Sequence, residues 1–157
     1  MAEARVAIVD LLNGLISTEL TATNQYFVHA KLCQHWGYER LAHRFRESSM
    51  EEMRDIEELM DRVLQLGGIP NLQRQHPFSV GERVVEQLQL SQTLESGAVD
   101  QLREGIANCQ GTGDTVTEDM LRKMLTEEEE QLNWLDAQIA LLESLGEQLY
   151  LSLQVNE

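Results

Sequence analysis

Chemistry in this chain begins with four glutamates and two residues that trail them by three positions. Glu19, Glu52, Glu95 and Glu128 each interrupt an apolar row near the middle of a helical pattern, and Asp55 and Gln131 follow the second and fourth. Residues three apart share one helix face, so these pairs point the same way. A buried carboxylate costs roughly several kcal/mol unless something offsets its charge. The apolar rows offer no Lys or Arg at that level, so protons or metal ions must do so. Oxygen donors suit iron, manganese, magnesium or calcium, and the lack of imidazole and thiolate argues against structural zinc. One such glutamate alone is ordinarily part of a solvated face. Four at matching heights in four helices favour a buried site.

Four long helical patterns must position these groups. The first runs from about Arg5 to His35, with a buried row of Leu12, Leu15, Glu19, Ala22, Tyr26, His29 and Cys33 in alternating steps of three and four. The second runs from about Glu39 to Leu66 through Leu41, Phe45, Ser48, Glu52, Asp55, Leu59, Val63 and Leu66, and is stopped by Gly67-Gly68 and Pro70. Residues 67 to 81 hold both prolines and little periodicity, as suits a long connection that carries the chain across the end of a bundle. Ser79 and Glu82 fit a capping box for the third helix. That helix extends to about Gln110 through Val84, Leu88, Ser91, Glu95, Ala98, Leu102, Gly105 and Cys109. Thr115 and Glu118 are candidate caps for the fourth, which runs to about Ser144 through Leu121, Met124, Glu128, Gln131, Leu135, Gln138 and Leu142. Beyond Gly146, Leu149, Tyr150, Leu153 and Val155 allow a short fifth helix. The expected fold is all-α and single-domain: a four-helix bundle with a long crossover between helices two and three and a short C-terminal helix.

Composition agrees. The chain has 157 residues, 42% hydrophobic, with two prolines and a net charge of -15. That charge argues against nucleic acid and favours metal cations or basic partner patches. No apolar run reaches the roughly 18 residues that span a membrane, and no signal peptide opens the chain. Cys33 and Cys109 form no metal-binding spacing and read as free thiols in a reducing cytoplasm.

A pair of glutamates from two helices plus Glu-x-x-His from each of two others holds a di-iron site in bundles of this kind. Here the pairs are Glu52-x-x-Asp55 and Glu128-x-x-Gln131, so both histidines are missing. Over its full length the chain resembles a bacterioferritin, a ferritin-like family. The likeness rests on Glu19-Leu20, Asn24 to Ala30 (NQYFVHA), Trp36-Gly37, Glu52-Met53, Gly68 to Gln73 (GIPNLQ), Leu94-Glu95 and Trp134-Leu135. The resemblance implies a hollow shell of twenty-four subunits that stores ferric mineral, with haem b between two subunits and one axial methionine from each. Met53 matches that methionine, with Leu20, Asn24 and Phe27 lining the pocket. Arg46 stands where the family often has an aromatic, within reach of a haem propionate. By itself Met53 could equally belong to a soft packing stripe with Met50 and Met60.

The resemblance also assigns the acids. Glu52 and Glu128 match the bridging ligands of the ferroxidase centre, Glu19 and Glu95 the terminal glutamates, and Asp55 and Gln131 the terminal histidines. Asp adds a negative charge, and Gln offers only a neutral carbonyl oxygen. Tyr26, beside that centre in the family, is kept. Glu47 and Glu51 match positions facing the shell interior, where they would nucleate mineral or simply form an acidic face. Ile69, Glu82 and Glu86 match a docking surface for a small iron-sulfur ferredoxin, or are plain surface. In the run Glu127 to Glu130, only Glu128 falls in the buried row.

The favoured reading is an iron-storage shell subunit specialised for haem, admitting electrons for iron release. Oxidation would be left to a ferroxidase-competent subunit in the same shell. The alternative is an active ferroxidase working through a variant di-iron site. A different di-iron redox bundle is a third; the long crossover, the fifth helix and Met53 speak against a mini-ferritin.

Overall fold

The computed structural model describes residues 2–156. Its elements are α1 (Ala2–Trp36), α2 (Glu39–Gln65), α3 (Val84–Thr112), α4 (Thr115–Leu145) and the short α5 (Glu147–Ser152). The alternating apolar rows become the inner faces of four long helices, and α1 packs on α2 and α3, and α3 on α4. Gly37 and Gly113 turn the two hairpins with positive φ, 87° and 77°, which a residue carrying a Cβ rarely adopts.

The core is divided in two. One apolar half gathers Leu12, Ile16, Ile56, Leu59, Leu102 and Leu121. The other gathers Tyr26, Phe45, Leu88, Leu135 and Tyr150. The glutamates lie between these halves, in a polar layer across the middle of the bundle.

The two halves also reveal the chain direction. Helix α2 runs from Leu41 in the second half to Val63 in the first, and α3 runs the same way from Val84 to Cys109. The segment between them must therefore travel back along the bundle. It does so against α1. Asn13 Nδ2 donates to the Ile69 carbonyl at 3.1 Å, and Asn13 Oδ1 accepts from the Asn71 N–H at 2.8 Å. Farther along, the Gly81 N–H donates to His29 Nε2 at 2.9 Å, and Gln87 Nε2 donates to the Gly81 carbonyl at 3.1 Å.

Two helix starts differ from expectation. Ser79 and Glu82 do not cap α3, which begins at Val84 after the extended residue Arg83; Glu86 Oε2 instead accepts from the Glu82 N–H. Asp114, not Thr115, caps α4, because Asp114 Oδ1 accepts from the Thr117 N–H at 3.0 Å while Arg62 Nη2 donates to the same oxygen. The expected absence of a membrane-length apolar stretch also needs correcting. By length and mean hydropathy α1 is apolar enough to cross a bilayer, but half of that stretch is buried inside the bundle, as a core helix requires. Both thiols are free and buried. Cys33 Sγ donates to Gln87 Oε1 at 3.1 Å.

Candidate metal centre

The polar layer brings together the residues expected from sequence. Glu19, Glu52, Glu95 and Glu128 are each at most 4% exposed, and Asp55 and Gln131 are buried with them. One carboxylate oxygen from each of Glu19, Glu52, Asp55 and Glu128 lies within 4.8 Å of the others. Glu19 comes from α1, Glu52 and Asp55 from successive turns of α2, and Glu128 from α4. Oε2 of Glu19, Glu52, Glu95 and Glu128 is buried with no hydrogen-bond partner.

So many acids in one buried layer are pushed toward their protonated forms. Burial, followed by the Glu95 and Asp55 charges, raises Glu19 well above the usual carboxylate range. Burial and the Glu19 carboxylate do the same to Glu128, and burial raises Glu95. Burial, with help from Glu127 and Glu58, pushes Asp55 up to about 7. An oxygen cage that keeps protons until a cation replaces them is the behaviour expected of a hard-metal site.

Glu95 and Gln131 are tied differently. Tyr26 Oη donates to Glu95 Oε1 at 2.8 Å. Gln131 Nε2 donates to Tyr26 Oη at 3.1 Å and to Ser48 Oγ at 2.9 Å. Gln131 Oε1 accepts from Arg44 Nη2 at 2.9 Å. Guanidinium is donor-only, so its partner at residue 131 must be the carbonyl oxygen, and the amide orientation follows. Arg44 also lies over the Trp134 ring, 4.4 Å from its centroid. Reading the apolar rows alone missed this arginine. It lies off the buried row of α2 and reaches the layer with its long side chain.

A cleft of about 480 Å³ leads away from Asp55 and Gln131. Its walls carry Glu47, Glu51, Glu58, Glu127 and Glu130, so with Asp55 six carboxylates face three basic side chains, Arg44, Arg54 and Lys123. Such a field concentrates cations.

A ferritin-like domain matches residues 9–145. The bacterioferritin of Streptomyces coelicolor is 41% identical over 150 residues, covering 96% of this chain and 90% of that protein. Bacterioferritin BfrA of Mycobacterium tuberculosis H37Rv is 39% identical over 143 residues, covering 91% and 90%. The chain belongs to the bacterioferritins. A third bacterioferritin, from Brucella melitensis, is 36% identical over 143 residues. Membership makes iron storage the chain's general function.

The remaining residues singled out in this bacterioferritin lie on its surface. Leu20, Asn24 and Phe27 share one face of α1, and Arg46, Met50 and Met53 one face of α2, at the same spacing. Ser49 Oγ donates to the Thr23 carbonyl at 2.8 Å and clips the two helices together beside these faces. Met53 is 42% exposed, Phe27 48% and Met50 53%; Leu20 is half-buried, while Asn24 and Arg46 are exposed. Glu47 and Glu51 are exposed, as are Glu82 and Glu86, and Ile69 is 79% exposed.

Proposed function

We propose that this chain is a haem-binding subunit of a bacterioferritin shell, admitting electrons for iron release and oxidising iron poorly. The observation that carries the reading is Met53, an exposed thioether on one face of α2 with Met50, while Phe27 is exposed on α1. A methionine serving only as core filler would be buried. A flat apolar group with a metal to ligate fits that donor set, so haem b would be held by Met53 from each of two subunits, against Leu20, Asn24 and Phe27, with Arg46 near a propionate. When bound, the haem supplies a one-electron carrier whose potential a thioether ligand raises. Met53 would supply the sulfur that holds such a group, Leu20 and Phe27 apolar walls, and Arg46 a positive charge.

Weak oxidation follows from Asp55 and Gln131, since neither provides a nitrogen donor for Fe(III). Glu47 and Glu51 then serve mineral growth on the shell interior, and Ile69, Glu82 and Glu86 a reducing ferredoxin. A shell of twenty-four subunits, mixed with a ferroxidase-competent partner and held in the cytoplasm, completes the proposal. The second reading, an active ferroxidase, is favoured by the convergence of four carboxylates within 4.8 Å.

The test is the absorption spectrum of Met53→Leu beside the unaltered protein. Loss or change of the Soret band with an intact assembly is expected, and an unchanged band rules the assignment out. Native mass spectrometry of shells from the source cell should find two related subunit masses; a single mass counts against co-assembly.

A further inference from the structure

The polar layer is not symmetric. Four of its acids, Glu19, Glu52, Asp55 and Glu128, present oxygens to one point, and three of the four keep a buried oxygen with no hydrogen-bond partner. These three side chains are 96–98% buried, because their exposures are 4%, 4% and 2%. On the other side, Glu95 Oε1 is held by Tyr26, and every polar atom of Gln131 is engaged: its oxygen by Arg44, its nitrogen by Tyr26 and Ser48. Ser48 Oγ in turn donates to the Arg44 carbonyl at 3.0 Å, and Arg44 is braced on Trp134. Only Glu95 Oε2 is left without a partner on this side, so a second ion would find one free carboxylate oxygen there and no free atom of Gln131.

We propose that each subunit binds a single hard divalent cation, such as Mn(II) or Fe(II), held by Glu19, Glu52, Asp55 and Glu128. Arg44, acting through Gln131, closes the other half of the layer to a second ion. The inference rests on the reading of this chain as a poor iron oxidiser and gives that reading a structural cause.

Two independent features specify the ion. All four donors are carboxylate oxygens, which select hard cations over copper or zinc. The access cleft is lined by carboxylates, and its Arg44 lies on the Gln131 side of the layer. A second ion beside Glu95 would have to take Gln131 Oε1 from Arg44 and approach a guanidinium already held by two contacts. Like charges at such range are repelled strongly in a dry layer.

The experiment is titration of metal-free purified protein with Mn(II), counting tightly bound ions by equilibrium dialysis and recording electron paramagnetic resonance. One tight ion per subunit with an isolated-ion spectrum is expected. Asp55→Asn should weaken that ion by roughly tenfold or more, since it removes one charged donor. The double variant Arg44→Gln with Gln131→Glu should admit a second tight ion and produce an exchange-coupled spectrum. Two tight ions with a coupled spectrum in the unaltered protein overturn the inference. So does a tight ion indifferent to Asp55→Asn, or the absence of any tight ion. The last result leaves poor iron oxidation standing, whereas rapid oxidation saturating at a pair of irons overturns that reading instead. If the double variant does not fold, stoichiometry and spectrum of the unaltered protein decide alone.

Discussion

Arg44 Nη2 and Gln131 Oε1 meet at 2.9 Å across 87 residues of sequence, joining α2 to α4 at the level of the buried acids. The contact turns an amide that could face a metal into one that faces a guanidinium. On the proposed reading, restoring imidazole at positions 55 and 131 should therefore not suffice for rapid chemistry. Asp55→His with Gln131→His should give only a slow rise in stopped-flow absorbance after Fe(II) addition. Adding Arg44→Leu should produce a fast phase that saturates, because it removes the positive charge beside the new imidazole. A fast saturating phase in the unaltered protein would sink the impaired-oxidation reading.

Stability should depend on pH through buried groups of opposite sign, the acids of the polar layer and His29. Asp55 is raised from 3.8 to about 7 by burial and by Glu127 and Glu58, so between those values the folded chain keeps a proton the unfolded chain has released. That contribution is present below the lower value and is lost as pH rises through the upper one. Glu19, Glu95 and Glu128 share its sign. Burial lowers His29 from 6.5 to about 4, so its contribution is present above 6.5 and lost as pH falls toward 4. In metal-free protein, Asp55→Asn should raise the thermal midpoint increasingly over the parent as pH climbs through about 4 to 7. A constant offset at every pH would show that Asp55 does not titrate in that window.

Gly81 is where the crossover meets α3 and cannot grow a side chain cheaply. A Cβ there would lie 2.7 Å from both the Gln87 backbone nitrogen and its Cγ. Gly81→Ala should therefore cost about 1–3 kcal/mol by overpacking, and it should disturb the hydrogen bond to His29. Thermal denaturation reads the loss, and proteolysis of residues 67–83 should accelerate. Gly97, with open space around its Cβ position, is the control: Gly97→Ala should leave both measurements unchanged or slightly improved.

The buried rows were legible because burial in a helix leaves a period that single residues cannot hide. Leu12 to Cys33 and Val84 to Cys109 are buried along the rows read from sequence. The acids were legible for the same reason, since Glu52 and Glu128 occupy positions where leucine was due. Arg44 was not, because a side chain of its length can reach a layer from a position the period assigns elsewhere. Helix starts were legible only as candidates. Asp114, Thr115 and Thr117 all have capping chemistry; Arg62 from another helix bonds both Asp114 and Thr117, and Asp114 is the one that takes the Thr117 N–H. The α3 start follows from Gly81 docking on His29, a contact between residues 52 apart that no local motif announces.

Burial of the two thiols carries a consequence for a protein that handles Fe(II) in the presence of dioxygen. Burial pushes Cys33 up to about 12, and burial with the Asp114 and Glu118 charges pushes Cys109 up to about 11. Thiolate, not thiol, is the form that attacks peroxide. At neutral pH scarcely any thiolate exists at either position, so neither cysteine offers oxidants a sulfur nucleophile. Redox silence at cysteine thus comes from the same close packing that builds the bundle, and it is lost only when the bundle opens.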